Sequence, residues 1–283
     1  MPGIRIYADN ACDLDKEYLE ELGVKLFYMP VTIKEQTYRD RLTISPPDFY
    51  KLISEPGVLP TTAQITPQEF KEEFEKALQV SNDQIIYIAF SSGLSGTYQS
   101  ACVARDMLDS QRIMVFDSKS ASVGYALTVI RAARAVAAGE NLEQVLAAIE
   151  DNIRRIEHIF IVGNFDMLKR GGRISSTSAT LGNLLNIKLI ANFVDGRILP
   201  LEKVHGLKKA KKRMVEIMAE RGVNLKEQLI GISHSNDYQG ALELKELIEE
   251  RFACREFVIS EIGAAIGAHV GAGSYSVFFL RQG

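Results

Sequence analysis

The chain has 283 residues, enough for two domains or one large one, and its hydrophobic (46%) and charged (24%) fractions are typical of a soluble globular protein. A formal net charge of −3 argues against a general nucleic-acid-binding role, and no apolar stretch reaches the length of a membrane span. The first residues lead directly into a strand-like run, so we expect no signal peptide and a cytoplasmic protein. The three cysteines are widely spaced and the four histidines lack close ligand spacing, so we expect neither disulfides nor a metal site.

Strands and helices alternate through the first half of the chain, which predicts a parallel α/β sheet up to about residue 155. The predicted strands are 4–8, 25–33, 84–89 and 112–116, with a short return strand at 37–39. The predicted helices are 13–22 with Asp13 as its cap, 46–53, one opening at a Thr66–Glu69 capping box, 98–108, 122–137 and 141–153. Ligands bind outside the carboxyl ends of parallel strands, so the loops after these strands are the expected binding edge.

A second, smaller unit is predicted to begin near residue 156. Its strongest signal is the Asp195-Gly196 turn, which predicts a hairpin between strands 188–194 and 197–203. The other predicted strands are 158–162, 228–233, 256–260 and 275–280, and the predicted helices are 167–174 interrupted by two glycines, 179–185, 206–221 and 238–252. A small-residue stretch at 263–273 surrounds His269.

The segment 90–101 is a turn of glycines and hydroxyls between a predicted strand and a predicted helix. Glycine lets the backbone approach a ligand, and the first turn of a helix offers free N–H groups to an anion. Ser95 is placed as the N-cap, followed by Gly96 and Thr97. No G-x-x-x-x-G-K-[ST] pattern is present, so a small anion such as a carboxylate fits better than a polyphosphate. The alternative is an ordinary capped helix.

Two chemistries are open for this turn. The order Gly93-Leu94-Ser95-Gly96 begins like a nucleophile elbow, and His269 follows later in the chain, as in serine hydrolases, but Thr97 stands at the fifth position. The other chemistry is non-covalent capture of a carboxylate by Thr62 and Ser95, two small hydroxyl donors on separate loops, with His269 nearby. A structural role for a lone histidine is the alternative for His269.

Two basic clusters follow. Lys169, Arg170 and Arg173 surround two glycines, an arrangement that suggests a backbone or anion contact. A second cluster lies at 203–213, where a charged helix is expected to be a solvated face.

Five motifs in order along essentially the whole chain resemble those of the DegV family of bacterial fatty-acid-binding proteins. The matching segments are D-N-A-C-D-L (9–14) with the family's D-S-x-x-D-L, T-A-Q-I-T (62–66) with T-S-Q-P-S, S-S-G-L-S-G-T-Y (91–98) with S-S-x-L-S-G-T-Y, L-K-R-G-G-R-I (168–174) with L-x-K-G-G-R-I, and H-V-G-A-G (269–273) with H-x-G-P-G. The departures are Asn10, Ala63, Ile65 and Ala272, which change the expected shape of the first two loops.

The resemblance implies a Rossmann-like domain (1–155) that carries the carboxylate-binding loops and a smaller α+β domain (156–283), with a ligand tunnel between them. It implies that Thr62, Ser95 and His269, with Gly96 and Thr97 beside them, hold the carboxylate of a long-chain fatty acid. The protein would be a non-catalytic carrier, without cofactor or metal, that presents the acid to a separate ATP-dependent kinase forming an acyl phosphate. Lys169, Arg170 and Arg173 are the candidate kinase contacts, and contact with a membrane surface would be transient at most.

Overall fold

The computed structural model describes residues 3–174 and 186–283, and the predicted helix 179–185 lies outside these residues. The strands are Ile4–Asp9 (β1), Val24–Phe27 (β2), Pro30–Ile33 (β3), Gln36–Arg39 (β4), Thr61–Thr62 (β5), Gln84–Ala89 (β6), Ile113–Asp117 (β7), Ile156–Ile161 (β8), Ile187–Val194 (β9), Arg197–His205 (β10), Leu229–His234 (β11), Glu256–Glu261 (β12) and Tyr275–Leu280 (β13). The helices are Lys16–Glu21 (α1), Pro46–Ile53 (α2), Pro67–Val80 (α3), Thr97–Leu108 (α4), Ser122–Ala137 (α5), Leu142–Arg155 (α6), Phe165–Arg170 (α7), Leu207–Arg221 (α8), Tyr238–Phe252 (α9) and Ala264–Val270 (α10).

The first half of the chain forms the predicted parallel sheet, with strand order β2-β1-β6-β7. Its central strand β6 is buried over five of its six residues, as expected for a strand covered on both faces. The predicted single strand 25–33 is instead two strands, because Pro30 begins β3, which leaves the parallel sheet and pairs antiparallel with β4 and β5. This small sheet carries Thr62.

The second half forms a six-stranded mixed sheet with order β10-β9-β8-β13-β11-β12. The predicted hairpin is confirmed: Asp195 and Gly196 have φ of 48° and 75°, and they join β9 to β10. Positive φ at both turn residues is the type I′ geometry that matches strand twist. Alternate residues of β8 and β13 point to opposite faces, so one face packs against α8 and α9, and the other faces the parallel sheet.

Helix α5 packs against both the parallel sheet and the six-stranded sheet. Its close approach to the six-stranded sheet needs Gly124, since a Cβ there would lie 2.4 Å from the Phe278 ring. Gly231 in β11 meets α5 in the same way, with a Cβ position 2.7 Å from Val123. Beside this contact, the carboxyl end of β6 faces β8, β9 and β13, and a cavity lies between them.

Candidate functional site

The cavity has a volume of about 240 Å³ and is lined by residues of the six-stranded sheet, of α10, of β5 and the loop after it, and of the loops that follow β6 and β7 of the parallel sheet. Most of its wall is apolar, and the apolar residues are Met29, Ala63, Phe90, Leu94, Ala121, Phe160, Leu168, Phe193, Ile198, Ile262, Ala265, Ile266, Val270 and Phe278. Its polar groups include Thr62, Gln64, Ser95, Arg173 and His269. An apolar cavity with a few convergent polar groups is the form of a small-molecule site.

Thr62 and His269 meet across the cavity wall. The Oγ1 atom of Thr62 lies 2.9 Å from Nε2 of His269, which joins β5 to the last turn of α10. Burial, reinforced by the nearby Arg173 guanidinium, lowers the pKa of His269 to about 4, so the imidazole is neutral at physiological pH. Its Nδ1 atom is buried without a hydrogen-bond partner among the described residues.

Ser95 and Gly96 stand at the start of α4. The structure places the N-cap at Gly96 rather than at Ser95, but Ser95 Oγ accepts a hydrogen bond from Thr97 N at 3.2 Å and so satisfies a backbone N–H of the first turn as a capping side chain does. A Cβ at Gly96 would lie 1.9 Å from Oε1 of Gln64, so any side chain at this position would displace the Gln64 amide. The twelve-residue helix therefore directs its positive end toward the cavity, where it would stabilise an anion.

Of the five predicted carboxylate-binding residues, Thr62, Ser95, Gly96 and His269 line the cavity, and Thr97 does not. Thr97 is fully buried, and its Oγ1 lies 3.0 Å from Ser95 Oγ and accepts from Ile65 N at 3.4 Å. Thr97 therefore contacts the Ser95 hydroxyl from the protein interior and helps to hold it in place.

The three predicted basic contact residues lie in two different environments. Lys169 and Arg170 are exposed at the end of α7. Arg173 lines the cavity, where its Nε donates to Leu94 O at 3.1 Å and its guanidinium also donates to Gly171 O. Gln64 also lines the cavity, although it is not among the predicted site residues; its Nε2 donates to Ser100 Oγ at 2.9 Å.

Two buried carboxylates position α10 and hence His269. Asp13 does not cap α1 as predicted, because its Oδ1 accepts from Gly263 N at 2.8 Å. Asp40 Oδ2 accepts from Ala265 N at 2.9 Å. Both carboxylates are fully buried, and desolvation raises the pKa of Asp13 to about 7.

The residues of the predicted nucleophile elbow do not form a catalytic triad. The Ser95 hydroxyl is paired with Thr97, and His269 Nε2 is paired with Thr62. No acidic side chain among residues 3–174 and 186–283 is hydrogen-bonded to His269 Nδ1. A serine hydrolase needs both the nucleophile–base contact and a group that orients the base. The same residues contain no cluster of histidine, cysteine and acidic side chains suited to a metal ion.

The model of the family described as "Uncharacterised protein, DegV family" matches residues 3–282. A DegV domain-containing protein of Caldanaerobacter subterraneus is 35% identical over 282 residues, which cover 100% of both chains. Protein DegV of Bacillus subtilis is 31% identical over 278 residues, covering 97% of this chain and 98% of that protein.

Solved structures of this type agree in fold. A DegV family protein from Thermus thermophilus, described as binding fatty acid, is 30% identical with a TM-score of 0.90, covering 99% of this chain and 100% of its own. The crystal structure of DegV from Bacillus subtilis, described as a fatty acid binding protein, is 29% identical with a TM-score of 0.87 and covers 100% of both chains. The predicted fold class is thereby confirmed.

Proposed function

Because the chain belongs to the DegV family, we propose that it is a non-catalytic binding protein for a long-chain fatty acid. The observation that carries this proposal is the composition of the cavity: its wall is mostly apolar and also carries hydroxyls, a neutral imidazole and a helix start. The described fatty-acid binding of the Thermus thermophilus and Bacillus subtilis proteins supports the same ligand.

Thr62, Ser95 and His269 hold the carboxylate in this proposal, with Gly96 beside them and Thr97 supporting Ser95. Hydrogen bonds to a charged group contribute about 1.5–3 kcal/mol each, so a few of them position the head group without a buried ion pair. Arg173 lines the same cavity, and its guanidinium adds a positive electrostatic potential there. Removing one methylene from water contributes about 0.8 kcal/mol, so the tail supplies most of the affinity, roughly 10 kcal/mol before ordering costs.

We propose that residues 1–155 supply the carboxylate-binding loops and that residues 156–283 cover the acyl chain, although His269 reaches the head group from the second part. The bound acid is presented to a separate ATP-dependent fatty acid kinase, which forms an acyl phosphate for phospholipid synthesis. Lys169 and Arg170 are exposed beside the cavity residue Arg173 and are the proposed kinase contacts. A kinase that uses ATP places the pair in the cytoplasm, which suits three unpaired, buried cysteines. No helix in the described part of the chain is long and apolar enough to cross a membrane.

Titration of delipidated protein with palmitate tests the head-group assignment. Thr62→Ala and Ser95→Ala should each raise Kd about tenfold or more, because each removes a hydrogen bond to a carboxylate. Thr61→Ala is the matched control, since Thr61 is the exposed neighbour of Thr62 on β5 and does not line the cavity. Unchanged affinity in both cavity variants would contradict the proposed site.

A further inference from the structure

The part of the cavity wall formed by the six-stranded sheet runs along β13, from Ser274 near His269 to Phe278. Ser274 Oγ donates to Val270 O at 3.2 Å, next to His269, so this row lies at the polar end. Four residues further along, Phe278 is paired with His158. Strands rise about 3.3 Å per residue, so the wall runs roughly 13 Å from the polar end to Phe278.

Four aromatic rings meet at the Phe278 end of this wall. The Phe193 ring stacks on His158 with centroids 4.6 Å apart and an interplanar angle of 12°. His158 meets Phe278 edge-on at 5.6 Å, and Phe160 meets Phe193 edge-on at 5.6 Å. These contacts form a continuous aromatic barrier across β8, β9 and β13.

Two of these rings, those of His158 and Phe278, are held in place by contacts with Ser120 and with α5. His158 is buried and its Nε2 lies 2.5 Å from Ser120 Oγ, while Phe278 is buried against Gly124 of α5. Phe193 is only partly buried. Its ring is therefore the part of the barrier that depends least on neighbouring packing.

A second cavity, of about 490 Å³, lies on the other side of Phe193. Its wall includes the charged residues Lys119, Arg154, Glu157, Asp195 and Arg281. Phe193 lines both cavities, so its ring separates an apolar space from a charged one.

We propose that Phe193 closes the tail end of the fatty-acid cavity and sets the longest acyl chain that the protein accepts. This inference rests on the proposed function. An extended alkyl chain with bonds of about 1.5 Å advances roughly 1.3 Å per carbon, so about ten carbons span the 13 Å from the Ser274 row to Phe278. A long-chain acid held at His269 has more carbons than this span, so its tail reaches Phe193 and its remaining carbons must bend within the cavity. The ring therefore limits how many carbons the cavity accepts.

Affinity for laurate, myristate, palmitate, stearate and arachidate, measured on delipidated protein, tests the inference. In Phe193→Ala the space of the lost ring becomes available to the tail, so affinity for stearate and arachidate should rise relative to myristate. Each additional buried methylene is worth about fourfold in Kd, so the arachidate-to-myristate ratio should change tenfold or more. Phe193→Trp should shift the preference the opposite way.

Leu199→Ala on β10 is the control, because Leu199 is exposed and lines neither cavity. If Phe193→Ala does not fold, as judged by thermal unfolding, Phe193→Leu carries the same test with a smaller shift. An unchanged chain-length profile in the folded Phe193 variants, with the wild-type protein binding palmitate, would overturn the inference alone. Failure of the wild-type protein to bind any of the acids would overturn the proposed function and this inference with it.

Discussion

Because the Asp13 carboxyl group is buried, we expect the free energy of unfolding to decrease as pH rises. The Asp13→Asn substitution should remove the contribution of this group to the pH dependence. Burial raises its pKa from 3.8 to about 7, so the folded state holds a proton that the unfolded state has released between these values. Stability therefore decreases with pH across this window. At about 1.4 kcal/mol per unit, the loss between about pH 5 and about pH 8 is roughly 3 kcal/mol from this group.

The asparagine keeps the local contacts. Its carbonyl oxygen can accept from Gly263 N as the carboxylate does, and its amide can donate to Ser122 Oγ, which now donates to Asp13. Asp13 has a φ of 58°, a left-handed conformation that asparagine tolerates well. The folded geometry of α10 should therefore survive the change.

Urea unfolding at the two pH values measures the effect as a difference in the free energy of unfolding. Asp109→Asn is the matched control, because Asp109 also has positive φ but is exposed. The wild-type protein and the control should lose more stability than Asp13→Asn by roughly 3 kcal/mol. Equal pH dependence in all three proteins would refute the reasoning that a desolvated Asp13 holds α10.

Three further outcomes are expected. Gly96→Ala should weaken palmitate binding, since the new Cβ would displace Gln64; unchanged affinity would contradict this. A fluorophosphonate probe should not label Ser95, because its hydroxyl lacks a paired base; labelling with ester turnover would favour a hydrolase. Charge reversal of Lys169 and Arg170 together should leave palmitate affinity unchanged and slow acyl phosphate formation by the kinase; equal rates would remove these residues from the interface.

Much of the fold could be predicted from local pattern. Strand β6 follows from an unbroken apolar run, and the β9–β10 hairpin follows from Asp195-Gly196, whose backbone has the positive φ values that such turns require. The Thr66–Glu69 capping box with Pro67 is confirmed as the start of α3. In each of these the determining residues are adjacent in sequence.

The sequence-based predictions were wrong or incomplete where contacts between residues far apart in the sequence determine the local structure. Asp13 looked like a helix cap, but its carboxylate bonds Gly263, 250 positions away. Helix α10 was not predicted, because its small residues carry little periodic signal and its position depends on Asp13 and Asp40. Strand β5 consists of two residues and exists through its pairing with β3.

The candidate site shows the same limit. Thr62, Ser95 and His269 could be singled out by residue type and resemblance, and the structure places all three on one cavity. The role of Arg173 in the cavity wall could not be predicted, since its sequence neighbours Lys169 and Arg170 are exposed. The aromatic barrier at Phe193 joins three strands and has no local signature.

The central claim is that the cavity holds one long-chain fatty acid. Mass spectrometry of lipid extracted from the purified protein, followed by titration of the delipidated protein with palmitate, tests it most directly. The account predicts a co-purified long-chain fatty acid and saturable binding at a single site per chain. A protein that carries no acyl chain and takes up no added palmitate would contradict it.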